Sequence, residues 1–284
     1  MEQYALQLHQ VSKQYKDFTL DNISFNVPKG SIVGFIGENG AGKTTTIQAI
    51  LGLVNTDSGT INILNKEHNT VCKDEIGVVF DGNHYPESLT PNQLKNVFQH
   101  IYHSWDNEKY IEMLEKFELP LNKKIKYYSK GMKMKYSISV ALSHQAKLLL
   151  LDEATSGLDP IMRDEILDLL LDFIQDEDHS ILVSSHITSD LEKVADYIVF
   201  IHNGKIIFQK AKDELLENYG IVKCGDTLFH ELLKDEMIAY RKQDYGWQVL
   251  VENKHSFQLK YPNAMIVPTS IDEIMLMYVK GDIK

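Results

Sequence analysis

The sequence predicts an α/β fold, because short apolar strands alternate with helical segments along most of its 284 residues. Two of those strands carry the prediction furthest. Ile32 to Ile36 and Lys147 to Leu151 are near-continuous apolar runs, the pattern of strands covered on both faces. Each also leads into charge-handling chemistry, the first into a glycine-rich loop and the second into a pair of carboxylates.

From the beginning, Ala5 to His9 and Phe18 to Val27 read as β-prone segments closed by the turn Pro28-Lys29-Gly30. The buried strand Ile32 to Ile36 follows, and Lys43 to Leu51 has helical character that stops at Gly52. Asp57-Ser58-Gly59 turns the chain into a strand from Thr60 to Leu64, and another strand, Ile76 to Phe80, ends at Asp81-Gly82. Between Pro91 and about Leu142, apolar residues recur at helical spacing (Leu94, Val97, Phe98, Ile101; Ile111, Leu114, Phe117), which predicts a helical insert. Pro160 opens a helix with Ile166, Leu167, Leu170, Leu171 and Ile174 on one face. Strands are expected at Ser180 to Ser184 and Ile198 to Ile201, and Asn203-Gly204 predicts a type I′ hairpin into Lys205 to Gln209. Near Tyr219-Gly220 the pattern changes. The expected division is a domain over 1–219, with its helical part at about 88–143, and a small α+β extension over 220–284 ending in a helix at Ile271 to Tyr278.

Composition bounds the function. With 43% apolar and 24% charged residues, the chain suits a globular domain plus an attachment. A net charge of −11 argues against a general nucleic-acid binder, which needs clustered Lys and Arg to displace counterions from phosphates. Cys72 and Cys224 lie far apart and outside any metal-binding spacing, so a reducing compartment is expected, with neither a disulfide framework nor a zinc site. Met1-Glu2-Gln3-Tyr4 lacks a basic leader, and no stretch approaches the roughly 20 apolar residues of a membrane-spanning helix. Any membrane role is therefore expected to be played from the aqueous side through a partner.

Gly37-Glu38-Asn39-Gly40-Ala41-Gly42-Lys43-Thr44 matches GxxxxGK[ST] between a buried strand and a helix. Glycines let successive backbone N–H groups turn onto phosphates, the helix N-terminus adds its dipole, Lys43 reaches the terminal phosphates and the Thr44 hydroxyl can ligate magnesium. Asp152 and Glu153 end the second buried strand, where ligands of open α/β sheets bind. Their side chains diverge, so Asp152 can hold the magnesium shell while Glu153 accepts a proton from the water attacking a γ-phosphate. A GTPase would carry NKxD, and neither Asn65-Lys66-Glu67-His68 nor Asn122-Lys123-Lys124-Ile125 supplies the Asp.

These motifs continue in order with Tyr128-Ser129-Lys130-Gly131-Met132, Ser156-Gly157-Leu158-Asp159 and Ser184-Ser185-His186. Over about residues 4–215 the chain resembles the nucleotide-binding subunit of ABC transporters. The resemblance implies a P-loop NTPase core with a mixed RecA-like sheet, an antiparallel β subdomain and a helical subdomain, taking ATP and Mg2+. It implies a head-to-tail dimer with a second nucleotide-binding subunit, attached to an integral membrane permease at the cytoplasmic face of the cell membrane. Within it, Gly37, Asn39, Gly40, Ala41, Gly42, Lys43, Thr44 and Thr45 belong to the phosphate site. Ser129 and Gly131 would grip the γ-phosphate bound to the opposite subunit, and Asp159 would communicate across the dimer. His186 would contact the γ-phosphate and the attacking water. Tyr15, 28 residues before Lys43, would stack on adenine, with Phe18 the competing ring.

Two departures stand out. Of the usual signature Leu-Ser-Gly-Gly-Gln only Ser129 and Gly131 remain, and Asp81 occupies the place of a glutamine that senses magnesium and faces the membrane partner. An Asp there can order a metal-bound water but cannot donate a hydrogen bond. The Ser-Lys-Gly-Met signature on a separate ATPase chain resembles exporters of drugs or peptides. The rival function, a soluble ABC-type ATPase in translation or repair, would bring two phosphate loops or a long coiled coil. Here one loop stands 109 residues before Asp152. A regulator without turnover is opposed by Glu153. The role of 220–284 (dimerising, regulatory or docking) stays open at this level.

Overall fold

The computed structural model describes residues 3–67, 73–82 and 84–283, and Met1, Glu2, His68 and Cys72, which figured in the sequence reading, lie outside them. The strands of the larger part are β1 (Tyr4–Gln14), β2 (Thr19–Pro28), β3 (Ile32–Ile36), β4 (Ser58–Ile63), β5 (Lys66–Glu67), β6 (Ile76–Val79), β7 (Leu148–Asp152), β8 (Ser180–Ser185), β9 (Tyr197–His202) and β10 (Lys205–Ala211). Its helices are α1 (Lys43–Ile50), α2 (Pro91–Ile101), α3 (Asn107–Lys116), α4 (Lys130–Leu142), α5 (Pro160–Phe173), α6 (Thr188–Val194) and α7 (Lys212–Asn218).

The central sheet runs β10-β9-β3-β8-β7-β6. Its strands are parallel except β10, which returns antiparallel to β9. Strand alternation explains why β3 and β7 are apolar throughout. Val33, Phe35, Leu148 and Leu150 face a core shared with the antiparallel sheet β2-β1-β4-β5, whereas Ile32, Ile36, Leu149 and Leu151 face the helices. The hairpin at Asn203-Gly204 forms with φ of 47° and 74°, the left-handed values that a type I′ turn demands at both central residues. On α5 the buried face holds Ile166, Leu167, Leu169 and Leu170, while Leu171, which spacing put inside, is 38% exposed. Leu169 packs in its place.

The helical insert is α2, α3 and α4. Thr90 and Gln93 form a reciprocal cap at the start of α2. The interior is aromatic: the Tyr110 hydroxyl donates to the Pro91 carbonyl and meets the Tyr136 hydroxyl, each at 3.0 Å, and Tyr85 stands edge-on to Tyr136 and Phe98. Burial pushes both phenols up, so they stay protonated and serve as hydrogen-bonding core residues.

Beyond α7 come β11 (Gly220–Cys224), α8 (Asp226–Glu231), β12 (Ala239–Gln243), β13 (Gly246–Val251), α9 (Lys254–Lys260), β14 (Met265–Pro268), α10 (Ile271–Lys280) and β15 (Asp282–Ile283). The strands form their own antiparallel sheet, β14-β11-β13-β12-β15. Val222, Val249 and Val251 pack on Leu232 and Phe257 on one face. On the other, Ile221, Ala239 and Leu250 join Ile274 and Met277 of α10 in the same cluster as Leu191 and Phe200 of the nucleotide half. The extension is thus welded on through α10. Glu192 of α6 accepts from the Ile271 amide at 2.8 Å, a carboxylate set on a helix N-terminus from another element. Tyr278 stands 5.5 Å from Phe208.

Candidate functional site

The loop between β3 and α1 is shaped for phosphate. Gly40 and Gly42 take φ of 82° and 114°, which L side chains rarely adopt, and a Cβ on Gly37 would collide with the Ile201 carbonyl of β9. Asn39, Gly40 and Ala41 form the tip of the turn, and Thr45 follows Thr44 in the first turn of α1. Lys43 is buried and folds back over the loop, its Nζ donating to the carbonyls of Gly37 at 2.7 Å and Glu38 at 3.3 Å. The amine also stands 3.3 Å from Glu153 Oε1.

Three oxygen-bearing side chains meet at the ends of neighbouring elements. Thr44 Oγ1 donates to Asp152 Oδ2 at 2.8 Å, and Ser184 Oγ, from the adjoining strand β8, donates to Asp152 Oδ1 at 2.5 Å. The sequence named the segment of Ser184 but gave its hydroxyl no task. The available signal was a serine on the strand neighbouring β7, at the same height as Asp152. Glu153 then turns sharply, with φ of 54°, a left-handed conformation that strains a residue bearing a Cβ. Its amide is held by the Ser184 carbonyl at 3.1 Å and by the Ser184 hydroxyl at 3.2 Å. The turn sends Glu153 away from Asp152 and onto His186, whose Nδ1 lies 2.5 Å from Glu153 Oε2. Lys43, Thr44, Asp152, Glu153 and His186 therefore converge in one chain.

The other residues singled out by sequence make contacts of their own. Ser129 caps α4, accepting from the Met132 amide at 3.2 Å, and Gly131 has the Met162 sulfur where a side chain would be. Asp159 caps α5, accepting from the amides of Ile161 and Met162, each at 3.1 Å. Among the described residues, no hydrogen bond or ion pair joins Ser129, Gly131 or Asp159 to the loop Gly37–Thr44. Asp81 pairs with Lys130 at 3.5 Å rather than with the Thr44 and Asp152 side chains. The Tyr15 ring is 41% exposed, whereas the Phe18 ring packs against Gly42. Cys224 is a free thiol, pushed up by burial.

The residues fit the groups that such a loop takes. Hard oxygens from Thr44 and Asp152, already 2.8 Å apart, suit magnesium, and the lysine with the inward-turned glycine backbone suits the phosphates of ATP. Replacing Lys43 by Ala should weaken binding of a fluorescent ATP analogue roughly 10- to 100-fold, the 1.5–3 kcal/mol typical of hydrogen bonds to a charged group. An unchanged dissociation constant would remove Lys43 from the phosphate site.

Fold and site together define a P-loop nucleoside triphosphatase with a helical insert. The family model that matches, over residues 20–156, is described as ABC transporter. ABC transporter ATP-binding protein YtrB of Bacillus subtilis (strain 168) is 30% identical over 97% of this chain and 98% of its own length. Lantibiotic transport ATP-binding protein SrtF of Streptococcus pyogenes is 35% identical over 73% of this chain and 91% of its own. Among solved structures, cbiO1 from Clostridium perfringens, part of the ABC transporter complex cbiONQ, aligns with a TM-score of 0.64 at 26% identity, covering 75% of this chain and 91% of that one. The chain belongs to the ATP-binding subunits of ABC transporters, which bind and hydrolyse ATP. Among the described residues no helix is long and apolar enough to cross a membrane. Subunits of this family pair with one another and with membrane permeases.

Proposed function

We propose that this chain drives export of peptides or drugs, working as a head-to-tail dimer on the inner face of the membrane beneath a permease. The observation that supports the dimer is that, among the described residues, no hydrogen bond or ion pair joins the Ser129–Gly131 helix start to the lysine-bearing loop of the same chain. An N-terminal helix turn with a hydroxyl and a bare glycine is an anion site, and a second copy supplies the anion. Thr44 and Asp152 hold magnesium, which neutralises the phosphate oxygens when bound. Glu153 takes the proton of the attacking water, His186 orients that water and the γ-phosphate, Asp159 meets the opposite subunit and Tyr15 offers its exposed ring to adenine. Export of peptides is supported by the lantibiotic transport protein, whose likeness extends over most of this chain.

The test is reconstitution. Extracted from membranes with its permease and placed in vesicles, the complex should hydrolyse ATP several-fold faster in the presence of a cationic peptide antibiotic and accumulate that peptide inside inverted vesicles. A chain that stays with ribosomes and never with a polytopic membrane protein, or a complex whose ATPase ignores every peptide and drug offered, would sink the exporter reading.

A further inference from the structure

Lys130 stands where three segments meet. Its ammonium lies 3.5 Å from Asp81 Oδ1, in the loop that follows β6. A Cβ built on Gly157 would come 2.9 Å from Lys130 Nζ, so the amine rests over the bare backbone of the turn that follows Glu153. One helical spacing further along α4, on the same face, Lys133 Nζ pairs with Glu87 Oε1 at 2.7 Å. The backbone is fastened as well: the Ile125 amide donates to the Leu89 carbonyl at 3.0 Å, and Lys126 to Glu87 at 3.1 Å. Asp81, Glu87 and Leu89 are thereby tied to residues 125–133, on both sides of Ser129.

The Asp81–Lys130 pair is half exposed on both sides, 52% and 50%, so it shifts an equilibrium by no more than roughly fivefold. That is too little to matter for folding. It is enough to bias where a loop stands when two positions are closely balanced. The pair also gives the Asp81 carboxylate a counter-charge, and it anchors the residue that sits between Ser129 and Gly131.

We propose that Asp81 and Lys130 form a charge pair that positions the Ser129–Gly131 helix start against the β6 loop and the Gly157 turn. Both are then positioning residues for the contact between subunits, and neither touches metal or phosphate. The proposal deepens the head-to-tail reading and rests on it.

The test is a charge-exchange cycle in the Glu153→Gln background, reading two quantities: fluorescent-ATP binding by the monomer, and dimerisation driven by ATP and magnesium in the ultracentrifuge. Asp81→Lys and Lys130→Asp each bring like charges together and should weaken dimerisation about tenfold, while the double exchange restores it to within about threefold. Monomer binding stays within about twofold throughout, and the conservative Asp81→Glu and Lys130→Arg behave as the parent. If a reversed variant melts early, Asp81→Asn and Lys130→Gln replace it in a neutral cycle: each single should weaken dimerisation by up to about fivefold and the double by no more than either single, and fully additive losses overturn the proposal. A double exchange no better than the worse single would overturn the proposal, because one member then contacts nucleotide or metal directly. Single variants that dimerise like the parent overturn it too. A parent that never dimerises brings down the head-to-tail reading, and this proposal with it.

Discussion

Glu153→Gln is expected to bind ATP with near-parental affinity, to lose hydrolysis by about 10²- to 10⁴-fold, the usual contribution of a positioned general base, and to accumulate as a dimer. The reason lies in the placement of the carboxylate. Glu153 reaches its position through a strained left-handed backbone pinned by Ser184, and Gln preserves shape, backbone and size. The amide oxygen can still accept from His186 Nδ1, so the 2.5 Å contact need not open. What is lost is the ability to take a proton. The Thr44–Asp152 pair is untouched, and Lys43 loses its ion pair with Glu153 but keeps its bonds to the loop carbonyls, so ATP should still bind. Steady-state phosphate release and gel filtration with ATP and magnesium check both parts. Hydrolysis at the parental rate would remove Glu153 as the base; hydrolysis lost without any dimer would leave the base and remove the clasp.

The strand, loop and helix around Lys43 were legible because their chemistry is local. A run of apolar residues, glycines where the backbone must turn left-handed, and a lysine opening a helix all lie within thirteen residues, Ile32 to Thr44. The carboxylate pair was legible for the same reason. Contacts set by sheet order were not. Ser184 is 32 residues from Asp152 and meets it only because β8 lies beside β7. The approach of Ile201 to Gly37 depends on β9 flanking β3. Leu171 was placed inside because helical periodicity fixes a face only to within about one position, and packing chose Leu169. The neighbouring positions of Asp81 and Lys130, 49 residues apart, follow from how the helical insert folds back on the β6 loop. The seat of α10 belongs to the same class. Nothing in Ile271 to Tyr278 says whether its apolar side meets its own sheet or the nucleotide half, and it meets both.

That seat supports the second large effect: Ile274→Asp should detach the 220–284 extension and lower the stability of the whole chain. Ile274 is fully buried in a cluster that runs from Ala239 and Leu250 of the small sheet to Leu191 and Phe200 beside the nucleotide site. Truncating such an isoleucine to alanine costs about 2–5 kcal/mol through lost contacts and the remaining cavity. Asp adds a carboxylate among apolar neighbours, which must be protonated or dragged to water. Against total stabilities of about 5–15 kcal/mol, α10 cannot stay seated. Its departure uncovers Phe208 and Phe200, which Tyr278 covers, and leaves Glu192 without the Ile271 amide. The expected record is a melting transition lowered by several degrees in Ile274→Ala. In Ile274→Asp, a protease should cleave within 220–284 at concentrations that leave the parent whole. Leu259→Asp, a change on the well-exposed side of α9, separates burial from charge and should melt like the parent. If Ile274→Asp also melts with the parent and resists the protease, α10 is not part of the common core, and the extension is only tethered.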